Sequence, residues 1–157
     1  QHLLRAVSHP GDIRARSGMM IASLMGATAF QKGLGAMHSM AHVIGARLHA
    51  HHGLINAVVM PYVLCANRTE VEVPLTRLAR YLELPDPGFQ AVLQWVLSLR
   101  SALNIPHTLA ALGVEERHID GFSTAALLDT STGSNPVPMS KKSFSQLFRD
   151  AIEGTLT

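Results

Sequence analysis

A chain of 157 residues fits one domain and is long enough to bury a sizeable core. Apolar residues make up 47% of it and charged residues 15%, which excludes a disordered acidic or basic tail. The formal net charge is only +2, and no basic run is longer than Lys141-Lys142, so charge gives no reason to expect nucleic acid.

Taken in chain order, helix signals dominate. The opening "QHLLRAVSHPGD" has no initiator Met and reads as part of a longer protein. Asp12, after Pro10-Gly11, is placed to cap a helix through "IRARSGMMIASLMGATAFQ". Its apolar stretch from Gly18 to Phe30 is flanked by Arg16 and Lys32, too short for a membrane span of roughly 20 residues. A helix buried in a core is expected instead. "QKGLGA" interrupts it, and a second helix is expected from about Gly35 to Ala50. A third follows the break at Gly53, with Pro61 kinking it or starting a new turn. It carries the single cysteine, Cys65, in an apolar run that suits an inert thiol. One cysteine forms no internal disulfide, which fits a reducing, cytoplasmic setting.

Thr69 to Leu84 has apolar residues at helical spacing, "ELPDPG" is a turn, and "FQAVLQWVLSLRSALN" presents one apolar face. A short helix capped by Thr108 and stopped by Gly113 is expected next, then one through "VEERHIDGFSTAALLDT" bent near Gly121. "STGSNPVP" is a loop, after which Ser140 caps a last helix with Phe144, Leu147, Phe148 and Ile152 inward. Alternating β-branched runs, hairpin dipeptides and internal repeats are all missing, and no segment reads as a linker. The fold expected is therefore an all-α helical bundle, one domain over residues 1–157.

The chemistry concentrates in "GAMHSMAHVIGARLHAHHG", Gly35 to Gly53, which holds five of the nine histidines. His38 and His42 are four apart and share a helix face. His49 and His52 are three apart, and His52 can converge on His38 across the interhelical break. Neutral imidazoles suit iron, zinc or nickel, but two ligands are too few for a usual first-row site. No Asp or Glu lies between Asp12 and Glu70, so the cluster has no carboxylate of its own. His2, His9, His107 and His118 are read as surface or hydrogen-bonded residues.

The stretch Gly33 to Arg68, "GLGAMHSMAHVIGARLHAHHGLINAVVMPYVLCANR", closely resembles the signature of iron-dependent (group III) alcohol dehydrogenases. That signature is G-x-x-H-x-M-A-H-x-x-G-A, then H-G, N-A and a Pro. The remaining helices and "STGSNPVP" resemble the C-terminal helical domain of that family, a dehydroquinate-synthase-like fold. "STGSNP" is similar to the T-G-G-N-P loop of the family, with Ser134 in place of the second Gly and Val137 where Arg is common.

The resemblance implies that His38 and His52 are metal ligands, for Fe2+, Zn2+ or another divalent ion. His42 would be a non-ligand catalytic residue beside the nicotinamide and substrate, in polar contact or proton relay. His49 and His51 match no invariant position and take structural or surface roles. In the family the metal is a Lewis acid on the alcohol oxygen, and hydride passes to NAD or NADP. The D-x-x-x-H helix with the other two ligands, and the Gly-rich loop of the N-terminal dinucleotide-binding domain, are not in these residues. The chain alone is then expected to be inactive, as the C-terminal part of a homo-oligomeric enzyme acting on a small alcohol or aldehyde. No nucleic-acid or membrane partner is implied. The alternatives are a maleylacetate-reductase-like enzyme of the same fold and a non-catalytic, truncated helical module.

Overall fold

The computed structural model describes residues 1–156, and every regular element among them is helical. The helices are α1 (Leu3–Ser8), α2 (Ile13–Ala29), α3 (Gly35–Leu48), α4 (His52–Ala66), α5 (Arg68–Tyr81), α6 (Phe89–Ala102), α7 (Ile119–Leu128) and α8 (Lys141–Glu153). Short 3-10 turns lie between them. The all-α expectation therefore holds. None of the helices is long and apolar enough to cross a membrane.

The chain divides into two compact units, Gln1–Gly33 and Leu34–Thr157. The first contains α1, which the sequence did not announce, and α2, whose first turn is closed by the Asp12 carboxylate accepting from the Ala15 N–H at 2.9 Å. Within this unit α2 finds little cover. Met20, Ile21, Leu24 and Met25 are each more than 60% exposed, and Ala15 is its one buried residue. The physical reason is that α1 is six residues long and covers little of a 17-residue helix.

The second unit has one main core. Met40, Ala41 and Ile44 of α3 pack with Ile55, Val58, Val59 and Tyr62 of α4, Phe122 of α7, and Phe144 and Phe148 of α8. Ile44, Ile55, Val58, Val59, Phe144 and Phe148 have no exposed surface, and each is worth roughly 1.5–3 kcal/mol on burial. A smaller cluster, Ala79, Val92 and Val96, joins α5 to α6.

Pro61 lies inside an uninterrupted α4, fully packed in the core, and neither ends the helix nor starts a new turn. The expected bend near Gly121 falls three residues earlier. A 3-10 turn over Glu116–His118 passes directly into α7 at Ile119. At the far end Ser140 caps α8 as expected, its hydroxyl accepting from the Ser143 N–H at 3.1 Å.

Candidate active site

Two short-range devices bring the histidines together. His49 ends α3 in the left-handed region at φ 52°, its N–H closing the helix on the Gly45 carbonyl. His51 then begins α4, with Nδ1 accepting from the Leu54 N–H at 3.3 Å. Both extra histidines are thus cap residues, in keeping with the structural role given to them. Between the caps the chain turns within three residues, and the first turn of α4 returns to the middle of α3.

The result is a triangle of imidazoles. Ring centroids lie 5.4 Å apart for His38 and His52, 5.5 Å for His42 and His52, and 6.1 Å for His38 and His42. His42 and His52 are stacked, 19° from parallel. His38 is the buried member at 8% exposure, whereas His42 and His52 are exposed. Burial lowers the pKa of His38 and the neighbouring His52 and His42 lower it further, against a hydrogen bond to the Leu34 carbonyl that raises it. A neutral ring with a lone pair is what a metal ligand needs. Asn56, one turn beyond His52 on α4, places Nδ2 at 2.9 Å from His52 Nε2 and fixes that ring.

His42 has a partner that sequence reading missed. Its Nδ1 donates to Asp129 Oδ2 at 2.9 Å. Asp129 stands at the end of α7, where its Oδ1 accepts from the Ser131 N–H at 2.8 Å and caps the 3-10 turn Thr130–Ser134. Partial burial alone would raise its pKa. The Ser131 N–H and His42 together outweigh that and hold the carboxyl below its ordinary value. An acid 87 residues from its histidine gives no periodic signal; the one local hint was "LLDTST", in which Asp precedes Thr and Ser as in a capped turn.

The loop after Asp129 organises the site from outside α3. The residue before α3, Leu34, offers no side-chain cap. Instead Ser134 Oγ accepts from the Leu34 and Gly35 N–H groups at 3.0 and 3.2 Å, and Asn135 Oδ1 accepts from the Ala36 N–H at 3.0 Å. These are the donors a helix start leaves unpaired. Asn135 also exchanges two hydrogen bonds with the buried Asn67, at 3.0 and 2.7 Å, between α4 and α5. Ser134, which stands where the resembling loop has its second Gly, is here a helix cap.

Among the described residues no group of three or more His, Cys, Asp or Glu is disposed to hold a metal ion. The donors present, His38 and His52, nonetheless fit a nitrogen-preferring divalent ion as part of a set, being adjacent and, at His38, buried so that the uncharged ring is favoured. Cys65 is half-buried and free, and burial pushes its thiol pKa up, which keeps it protonated and unreactive.

Residues 1–152 match the model of the Fe-containing alcohol dehydrogenase family, C-terminal. The chain belongs to that family. It is 36% identical to 4-hydroxybutyrate dehydrogenase of Cupriavidus necator, over 96% of this chain and 41% of the relative. It is 32% identical to the NADPH-dependent butanol dehydrogenase of Clostridium saccharobutylicum, over 99% of this chain and 42% of the relative. Among solved structures, 1,3-propanediol oxidoreductase superposes with a TM-score of 0.91 at 28% identity, over 96% of this chain and 41% of that one. A maleylacetate reductase from a Rhizobium species, at 24% identity and a TM-score of 0.79, shares the fold. The chain spans about two fifths of the length of the relatives it matches.

Proposed function

We propose that residues 1–157 form the C-terminal, metal-binding part of an oxidoreductase that moves hydride between a small alcohol and NAD or NADP. The observation that carries this reading is the convergence of His38, His42 and His52 within 6.1 Å, on the family signature. His38 and His52 would hold the divalent ion, Fe2+ or Zn2+, with the remaining ligands coming from outside these residues. Bound there, such an ion supplies Lewis acidity toward an alcohol or carbonyl oxygen. His42 is left for the organic reactants: its Nδ1 is taken by Asp129, and its other nitrogen faces no partner among the described residues. Met40 and Ile44 on α3 and Ile55 on α4 are fully buried in the core and fix the two helices that carry the three rings. The dinucleotide would be bound mainly by parts of the polypeptide beyond this chain, since no phosphate-cradling glycine loop occurs in it.

The test has two arms. Residues 1–157 alone bind ferrous or zinc ion weakly by calorimetry, lose even that in His38→Ala or His52→Ala, and oxidise no primary alcohol with NAD or NADP. In the polypeptide that contains the chain, His52→Ala abolishes bound metal and turnover together. His42→Ala keeps the metal and slows turnover about 10²–10⁴-fold, while His51→Ala leaves both near the parent values. Turnover by residues 1–157 alone, or loss of metal in His42→Ala, would overturn the assignment.

A further inference from the structure

His42 is held on two sides. Its ring face stacks on His52 at 5.5 Å, and its Nδ1 edge lies 2.9 Å from Asp129 Oδ2. The carboxylate is itself immobilised. Oδ1 accepts from the Ser131 N–H at 2.8 Å, with Ser39 Oγ 3.4 Å away. Ser39 is fully buried and sits 2.7 Å from Thr132 Oγ1, which donates to the Ala126 carbonyl at 2.6 Å. Asp129 therefore cannot turn away without undoing the cap of its own turn. A fixed carboxylate accepts hydrogen bonds only, so it selects the imidazole form that carries the proton on Nδ1.

We propose that Asp129 is a positioning residue that holds His42 as the Nδ1–H tautomer, so that Nε2 keeps its lone pair for the reactants in the cleft shared with His38 and His52. This rests on the role proposed above for His42, but the tautomer can be read without it. The other charged or titratable groups packed near the ring are His38 and His52, at centroid distances of 6.1 and 5.5 Å, whereas Asp129 is in direct hydrogen-bond contact with Nδ1 at 2.9 Å.

The test is long-range 15N–1H correlation of the histidine rings in residues 1–157, above the ordinary imidazole pKa, for the parent, Asp129→Asn and Asp129→Ala. The parent shows a protonated Nδ1 and a bare Nε2 at His42. In Asp129→Asn the amide keeps its oxygen on the Ser131 N–H and turns its NH2 to His42. Nδ1 then becomes the acceptor, and the tautomer inverts to Nε2–H in a chain that is otherwise folded. Asp129→Ala, which removes the acceptor, likewise loses the Nδ1–H form.

In the complete enzyme, Asp129→Asn lowers kcat by about 10²-fold or more with metal content and KM little changed, because the reacting nitrogen now carries a proton. An Nε2–H ring in the parent, or an unchanged Nδ1–H ring in both variants, overturns the proposal. A tautomer that inverts while kcat stays put supports the positioning of His42 by Asp129 and overturns the catalytic role of His42.

Discussion

At the scale of single residues, the Asp129 carboxyl does two things with its two oxygens: one closes a turn, the other orients a histidine. Its pKa is lowered below the ordinary 3.8, so the folded state prefers the ionised form. The sign follows by linkage. The stabilisation is fully present above the unfolded value and is lost as pH falls through the lower, folded one. In urea titrations the parent is therefore more stable than Asp129→Asn at neutral pH, and the gap closes as pH drops below about 3.8. A gap that persists unchanged into strong acid contradicts this.

Legibility at this scale divides by sequence distance. His38, His42 and His52 stand in one short signature and could be singled out. Their proximity was expected from helical spacing and a break at Gly53; the break lies instead at His49–His51, with Gly53 inside the first turn of α4. Asn56 was visible as part of an "NA" element but had no assignable partner. Asp129 was an ordinary acid among 11 acidic residues until the fold put it against α3.

At the scale of elements, α3 is a helix that does not start itself. Its first donors rest on Ser134 and Asn135, and Gly35, at φ +68°, passes so close to Asn135 that an added Cβ would meet Oδ1 at 3.0 Å. Ser134→Ala should cost about 0.5–2 kcal/mol, the usual value of a lost N-cap. Gly35→Ala should cost at least about 1 kcal/mol, from a backbone region that L-residues avoid together with displacement of the Asn135 side chain. Denaturant midpoints of the two variants check both values; a neutral Gly35→Ala would show that the loop does not clamp α3.

Helix positions were legible because amphipathic spacing and local caps such as Asp12 and Ser140 are short-range signals. At Pro61 the sequence left two readings open, a kinked helix or a new turn, and α4 runs on through it. Tertiary packing of Pro61 against a full core outweighs the one hydrogen bond that it removes. For α2 the apolar composition suggested burial, but composition does not say where the covering surface comes from.

At the scale of the whole molecule, every residue of the histidine triangle, the Asp129 turn and the Ser134–Asn135 cap lies in the unit Leu34–Thr157, together with the main core. A polypeptide starting at Leu34 should accordingly keep a cooperative thermal transition and the His42–Asp129 hydrogen bond. The measurements are a melting curve and the same 15N pattern at His42 as in residues 1–157. A molten, non-cooperative product would show that residues 1–33 are needed for the site to form.

The cap on α3 arrives from about a hundred residues further along the chain, at separations of 99 and 100. During synthesis, at roughly 5–20 residues per second, the helix that bears His38 and His42 leaves the ribosome many seconds before the residues that complete its first turn. Closing so long a loop has an entropic cost that grows only slowly with length, so the delay is one of supply and not of thermodynamic distance. Until Asp129 emerges His42 has no carboxylate, and until Ser134 and Asn135 follow it the first three donors of the nascent helix lack their side-chain acceptors. The order of translation thus makes the centre one of the last parts of this chain to mature, and a polypeptide that stops before Ser134 has the histidines without the cap that frames them.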